Sequence, residues 1–229
     1  MIVVIGPAAL RIAPPGAGRA VGTAPEIAAA AAADGATVEM VTKIGEDGAG
    51  EELLLAFARA RVGHLAVLRD PARPTPLAMD DVERPDDDVD PVPALLAAAE
   101  ASLRRPPSGS HPEPRSGPIL EAADLALGLR YLRDYRVVVA VEPIAEGGAA
   151  VIAAAASFAD AGLVVVAPPG LTAPAAYAAA TLIEAPSDDP DGAFAGLVGR
   201  YAAALDRGTA PAEAFRAATT EGGWEVAGG

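Results

Sequence analysis

The chain begins with a wholly apolar run from Ile2 to Ile5, ended by Gly6-Pro7. Apolar residues without polar alternation suit a strand buried on both faces, as in a parallel sheet. Pro25-Glu26 and the alanine run behind them read as a helix with proline in its first turn and an acid near its positive end, stopping at Asp34-Gly35. Residues 37–42 are the next strand. Asp47 is placed to cap a helix over residues 50–61, with Leu53, Leu54, Leu55, Phe57 and Ala58 as its buried face. Residues 65–68 return as a strand. This alternation predicts right-handed βαβ units, and so an α/β protein with a mostly parallel central sheet between helices.

The middle breaks the pattern. Residues 80–93 and 105–118 carry too much acid and proline to bury and read as mobile linkers, with one helix over 94–103 between them. Alternation then resumes: helix 119–132, strand 137–141, helix 149–159, strand 163–167 and a further strand over 180–184. Asp189-Pro190-Asp191 reads as a helix start, with Asp189 as N-cap and Pro190 at the first helical position, the helix reaching about residue 205. Pro211 opens a last helix ending near residue 219. No internal repeat is present, and the two halves are expected to share one sheet in a single domain over residues 1–229.

Composition narrows the chemistry. The 229 residues include no cysteine, which excludes disulfides, thiolate nucleophiles and cysteine-ligated zinc. Seventeen basic residues against 31 acidic give a net charge of −14, which repels a phosphate backbone, so nucleic acid is not an expected partner. Lys43 is the only lysine, a bias attributed to a GC-rich genome. No basic segment precedes the first strand, and the most apolar later stretch, residues 147–166, is mostly alanine and contains Asp160. A cytoplasmic chain with no membrane partner is expected. His64, at a helix end before a strand, and His111, in a linker, do not make a metal site or a Ser/His/Asp triad. The acidic run over residues 86–90 lacks the spacing and closing glutamate of a calcium loop, so no metal site is assigned. Trp224 is read as a packing anchor.

One stretch carries a resemblance. Gly22-Thr23-Ala24-Pro25-Glu26-Ile27-Ala28, then Gly35, then Gly45-Glu46-Asp47-Gly48-Ala49-Gly50-Glu51-Glu52-Leu53 keep the glycine spacing of an N-terminal kinase signature. Leu65 to Asp70 and Arg73-Pro74-Thr75-Pro76-Leu77-Ala78 follow as a sheet strand passing into a lid strand. In these features the sequence resembles the PfkB, or ribokinase-like, carbohydrate kinases. A weaker match covers residues 189–218. The resemblance implies a three-layer α/β/α fold with a lid, here reduced to a remnant around residues 75–79.

It also implies phosphoryl transfer, by a carboxylate base and helix N-terminal amides in one glycine-rich motif. The matching stretch here is Ser187-Asp188-Asp189-Pro190-Asp191-Gly192-Ala193-Phe194. Gly192 takes the place of the catalytic aspartate, and Asp191, the candidate base, lies one position early, a rotation of roughly 100° on a helix. Asp189 and Gly192 are the candidate nucleotide contacts, yet the cradling amides belong to two acids and a proline, which lacks the N–H. On the substrate side Arg11 or its neighbours replace an aspartate and Glu26 an asparagine, while Val21 replaces the first glycine of a pair. The substrate candidates are therefore Arg11, Gly22, Thr23, Glu26 and Gly45. The family's Asn-x-x-Glu motif and Gly-x-x-Gly turn are not found.

The expectation is a pseudokinase: a pocket for a sugar or nucleoside kept, with phosphoryl transfer weak or lost. The alternative is an active ATP-dependent sugar or nucleoside kinase with Asp191 as base, using ATP and Mg; otherwise no cofactor is assigned. The lid remnant offers a surface on which two copies could form a homodimer.

Overall fold

The computed structural model describes residues 1–12, 17–78, 117–187, 189 and 191–221. The linkers 80–93 and 105–116, the helix over 94–103, His111, Asp188, Pro190 and Trp224 lie outside the described residues.

Six strands form one parallel sheet: β1 (Ile2–Ile5), β4 (Val38–Gly45), β5 (Gly63–Asp70), β7 (Val137–Val141), β8 (Gly162–Ala167) and β9 (Thr181–Glu184), in the order β5-β4-β1-β7-β8-β9. The apolar run that opens the chain is central, with Ile2 paired to Val38 on one side and Val137 on the other. All four residues of β1 and all five of β7 are buried, as wholly apolar runs demand. Strands from both halves of the sequence share this sheet.

The layers follow from the alternation of side chains along each strand. Ile2, Val4, Met40 and Val139 face α1 (Thr23–Ala33), α5 (Ala193–Asp206) and α6 (Pro211–Glu221), where Ile27, Val198 and Tyr201 complete one core. Val3, Ile5, Val41 and Val138 face α3 (Ala122–Tyr131) and α4 (Gly148–Phe158), where Leu125, Leu129 and Ile152 complete the other. This is a three-layer α/β/α arrangement. A second sheet, β3-β2-β6, stands apart: β2 (Ala9–Arg11) runs antiparallel to β3 (Arg19–Val21) and parallel to β6 (Leu77–Ala78).

Several sequence expectations are corrected. In α2 (Gly48–Arg59) the buried positions are Leu53, Ala56 and Phe57, at helical spacing, whereas Leu55 is 54% exposed and Ala58 is exposed too. His64 lies inside β5 rather than at a helix end. The small sheet has two strands, β2 and β3, that the hydrophobic pattern did not announce, because three residues are too few to show a period.

Candidate functional site

The short strand β3 leads directly into α1, and the turn between them is made by Gly22 at φ 113, ψ 160, a region open in practice to glycine alone. Among the described residues no side chain caps this helix. Thr23 is its first residue, and Glu26, in its first turn, accepts a 3.4 Å hydrogen bond from the Arg19 guanidinium. At the start of α1 Gly22 is exposed and Thr23 and Glu26 are half-buried, while Ala24 is buried and so is Pro25, which has no N–H to offer.

The start of α5 is finished differently. Its N-cap is Gly192, left-handed at φ 66, and the helix begins at Ala193. The sequence places the N-cap at Asp189; the left-handed turn, closed by a 3.1 Å bond from Gly192 N–H to the Asp189 carbonyl, moves it three residues on. Asp189 nevertheless caps the helix, from outside it. Its Oδ1 accepts from Phe194 N–H and its Oδ2 from Ala195 N–H, each at 3.0 Å. One carboxylate thus bridges two of the first helical amides, where the helix dipole favours negative charge.

These two ends share the wall of a cleft of about 480 Å³, lined by Arg11, Gly22, Thr23, Glu26, Asp189 and Phe194 together with residues 185–187. The helices can meet because Gly199 of α5 has no side chain: a Cβ there would lie 2.6 Å from Ala30 Cβ and 2.8 Å from Ala31 N. The lid contributes Arg11 from the end of β2, and the chain leaving β9 contributes Ser187. The cleft is polar: its lining includes the guanidinium of Arg11, the carboxylates of Glu26 and Asp189, and the hydroxyls of Thr23 and Ser187. Such convergent polar groups can fix the orientation of a small hydroxylated molecule.

Of the sequence candidates, Arg11, Gly22, Thr23, Glu26 and Asp189 converge on this cleft. Asp191 is exposed, and neither it nor Gly192 lines the cleft. Gly45 lies elsewhere too, in a knot of its own. Its N–H donates to Thr75 Oγ1 at 2.9 Å, and an added Cβ would sit 2.5 Å from Thr75 N. Asp47 completes that knot as the cap of α2, accepting from Gly50 N–H (2.7 Å), Thr75 N–H (2.8 Å) and the Thr75 hydroxyl (2.7 Å). Burial pushes the Asp47 carboxyl up, but the bonds from Thr75 and Gly50, with the Arg69 charge, outweigh it and hold the group below its ordinary value. The knot ties the approach to the lid strand β6 onto α2. On the other side of the lid, Glu52 Oε1 accepts from Gly18 N–H at 2.9 Å and from Arg59 at 2.7 Å, while Arg59 also reaches the Gly18 carbonyl at 2.8 Å. Ser187 and Phe194 were not singled out from sequence; only their nearness to the Asp189 segment marked them.

A second cavity, of about 330 Å³ and mostly apolar, opens over the end of β1 between Thr42 and Lys43 of β4, Pro118 to Leu120, and Pro143 to Ala145. Lys43 Nζ is bound to Asp124 Oδ2 at 2.8 Å, so the chain's single lysine ties β4 to α3. Among the described residues no group of three or more His, Asp or Glu side chains is placed to hold a metal ion. Nor, among them, is any helix long and apolar enough to cross a membrane.

No protein-family model matches the sequence, and no curated protein matches it either. Solved structures do. Aminoimidazole riboside kinase from Salmonella enterica, in complex with aminoimidazole riboside and an ATP analogue, is similar at a TM-score of 0.61 and 14% identity, over 99% of this chain and 93% of that one. A PfkB protein from Polaromonas sp. JS666 gives 0.59 and 16%, over 99% and 95%. Ribokinase of Arabidopsis thaliana, complexed with ribose and ATP, gives 0.57 and 16%, over 99% and 93%. The chain has the ribokinase-like fold, and its structural neighbours are carbohydrate kinases of that type.

Proposed function

We propose that this chain is a cytoplasmic small-molecule-binding protein on the ribokinase-like fold, a pseudokinase whose cleft between α1 and α5 takes a sugar or nucleoside and whose phosphoryl transfer is lost or residual. The observation that carries this reading is the Asp189 carboxylate on Phe194 N–H and Ala195 N–H. Phosphoryl transfer needs donors held open for the charge that develops on the transferred group. Here those donors are already spent on an internal anion. A triphosphate brought to the same place would meet a carboxylate, so the residues present do not fit ATP there, and no transfer step follows from them.

The other end of the cleft suits a neutral, hydroxylated ligand. Arg11 supplies donors only, and ionised Glu26 acceptors only, while Thr23 and Ser187 can do either. Vicinal hydroxyls can be read by such a set. The nucleotide-bound neighbours favour a second reading, an active kinase using ATP and Mg with Asp191 as base. It requires Asp191, now exposed, to turn inward and Asp189 to leave its amides.

Following backbone amide resonances of the full chain tests the choice. Ribose or a nucleoside is expected to move Thr23 and Ser187 saturably, while ATP–Mg leaves Phe194 and Ala195 in place. A saturable shift of Phe194 and Ala195 by ATP–Mg, lost in Asp191→Ala, would establish the kinase reading. Silence at Thr23 and Ser187 across the panel would remove the pocket.

A further inference from the structure

On the sheet face opposite the cleft, α3 and α4 lie side by side and leave a groove of about 840 Å³ between them. On its α4 side the groove is lined by Val151, Ala154, Ala155 and Phe158, with Ala159 just beyond the helix, so small side chains make up much of that wall. At its edge stands Phe158, 94% exposed, and on α3 Tyr131 is 63% exposed. Other large apolar side chains are exposed on this chain, but Phe158 is the most exposed of those described, and an aromatic ring so far from shelter marks an interaction surface more than a lone exposed leucine would.

Two features say what covers it. The first is shape: the projecting ring and the hollow belong to the same patch. A two-fold axis needs a surface complementary to itself, which a knob beside its own hole supplies. The second is charge. The whole chain carries −14, so most approaches of two copies bring acid against acid. Among the described residues the charged lining of the groove is Arg130 and Arg133 against Asp134, a local balance of opposite sign. Asp134 and the exposed Asp160, which follows Ala159, sit at the two helix C-terminal turns, both at positive φ. A two-fold pairing can set the arginines of each copy against these aspartates of the other.

We propose that the α3–α4 face is a homodimer interface, in which Phe158 of each copy enters the groove of the other. This is a different surface from the β3-β2-β6 lid sheet, and it leaves the α1–α5 cleft of both copies open to ligand.

Sedimentation equilibrium of the full chain from 1 µM to 1 mM tests it. A reversible monomer–dimer equilibrium is expected. Phe158→Glu should weaken it at least tenfold, and Arg133→Glu should weaken it several-fold, with both variants keeping the circular dichroism and melting temperature of the parent when compared at concentrations where the parent is monomeric, because each site is exposed. Leu77→Asp on the lid sheet should leave the equilibrium unchanged. A monomer at every concentration would overturn the proposal, as would a dimer indifferent to Phe158→Glu; loss of the dimer in Leu77→Asp alone would assign it to the lid, and a groove that took foreign peptide while the chain stayed monomeric would equally reject a second copy as occupant.

Discussion

Two helices bring their positive ends to one cleft, and the chain treats the two ends in opposite ways. At α1 the turn is made by Gly22, no side chain among the described residues caps the helix, and Glu26 of its first turn is drawn off toward Arg19. At α5 the turn is made by Gly192 and the end is closed by Asp189. The same fold element, a helix start aimed at a ligand cleft, is left available in one case and neutralised from within in the other. A fold that can host anion chemistry therefore does not by itself supply it; the identity of a single residue upstream of the helix decides whether the amides are free.

Pulling the two helices apart should have the largest effect. Gly199→Val puts a branched side chain where even a Cβ meets Ala30 and the backbone of Ala31, and should destabilise the fold by about 3 kcal/mol through overpacking. Thermal unfolding should register it as a lower midpoint, and ligand shifts at Thr23 should vanish with it. Gly22→Ala comes next. It forces an L side chain into φ 113 at the open helix end and should cost ~2 kcal/mol in urea unfolding, with α1 rather than α5 losing amide protection.

Asp189→Ala should cost about 1 kcal/mol, the usual loss on removing a carboxylate cap, with exchange rising at Phe194 and Ala195 while Thr23 is unaffected. The capped start of α2 gives a check with a pH signature. Because the Asp47 carboxyl is held below its ordinary value, it binds a proton less readily folded than unfolded. Its contribution is complete above the unfolded value and fades as pH falls through the folded one. Asp47→Asn should therefore flatten the acid limb of the stability curve below about pH 4. Arg19→Ala should matter least: the 3.4 Å pair with Glu26 is exposed on the arginine side, and its removal should change stability by less than about 0.5 kcal/mol.

Much of this architecture was legible in the sequence. β1 and the strand over residues 137–141 were placed to the residue because an uninterrupted apolar run has one reading in an α/β chain. The phase of α2 was not, since three consecutive leucines hide which side of the helix is buried; the structure chooses Leu53 and turns Leu55 outward. The start of α5 was misplaced for a related reason. Asp189-Pro190-Asp191 has the composition of a cap and first turn, but the left-handed Gly192 resets the backbone, a conformation composition cannot announce. At the site, the glycine spacing led to Gly22, Thr23 and Glu26, and alignment to Arg11 and Asp189. Gly45 was drawn in by the same spacing, and its glycine answers instead to the close passage of Thr75. Lys43, noted only as a compositional oddity, proved to be a strut between β4 and α3.

Calorimetric titration of ATP–Mg into the full chain and into its Asp189→Gly variant tests the central claim most directly. The parent should give no saturable heat at millimolar nucleotide, and the variant, with Phe194 and Ala195 amides released, should give a measurable binding isotherm. Saturable binding by the parent, abolished by Asp191→Ala and unchanged by Asp189→Gly, would contradict it.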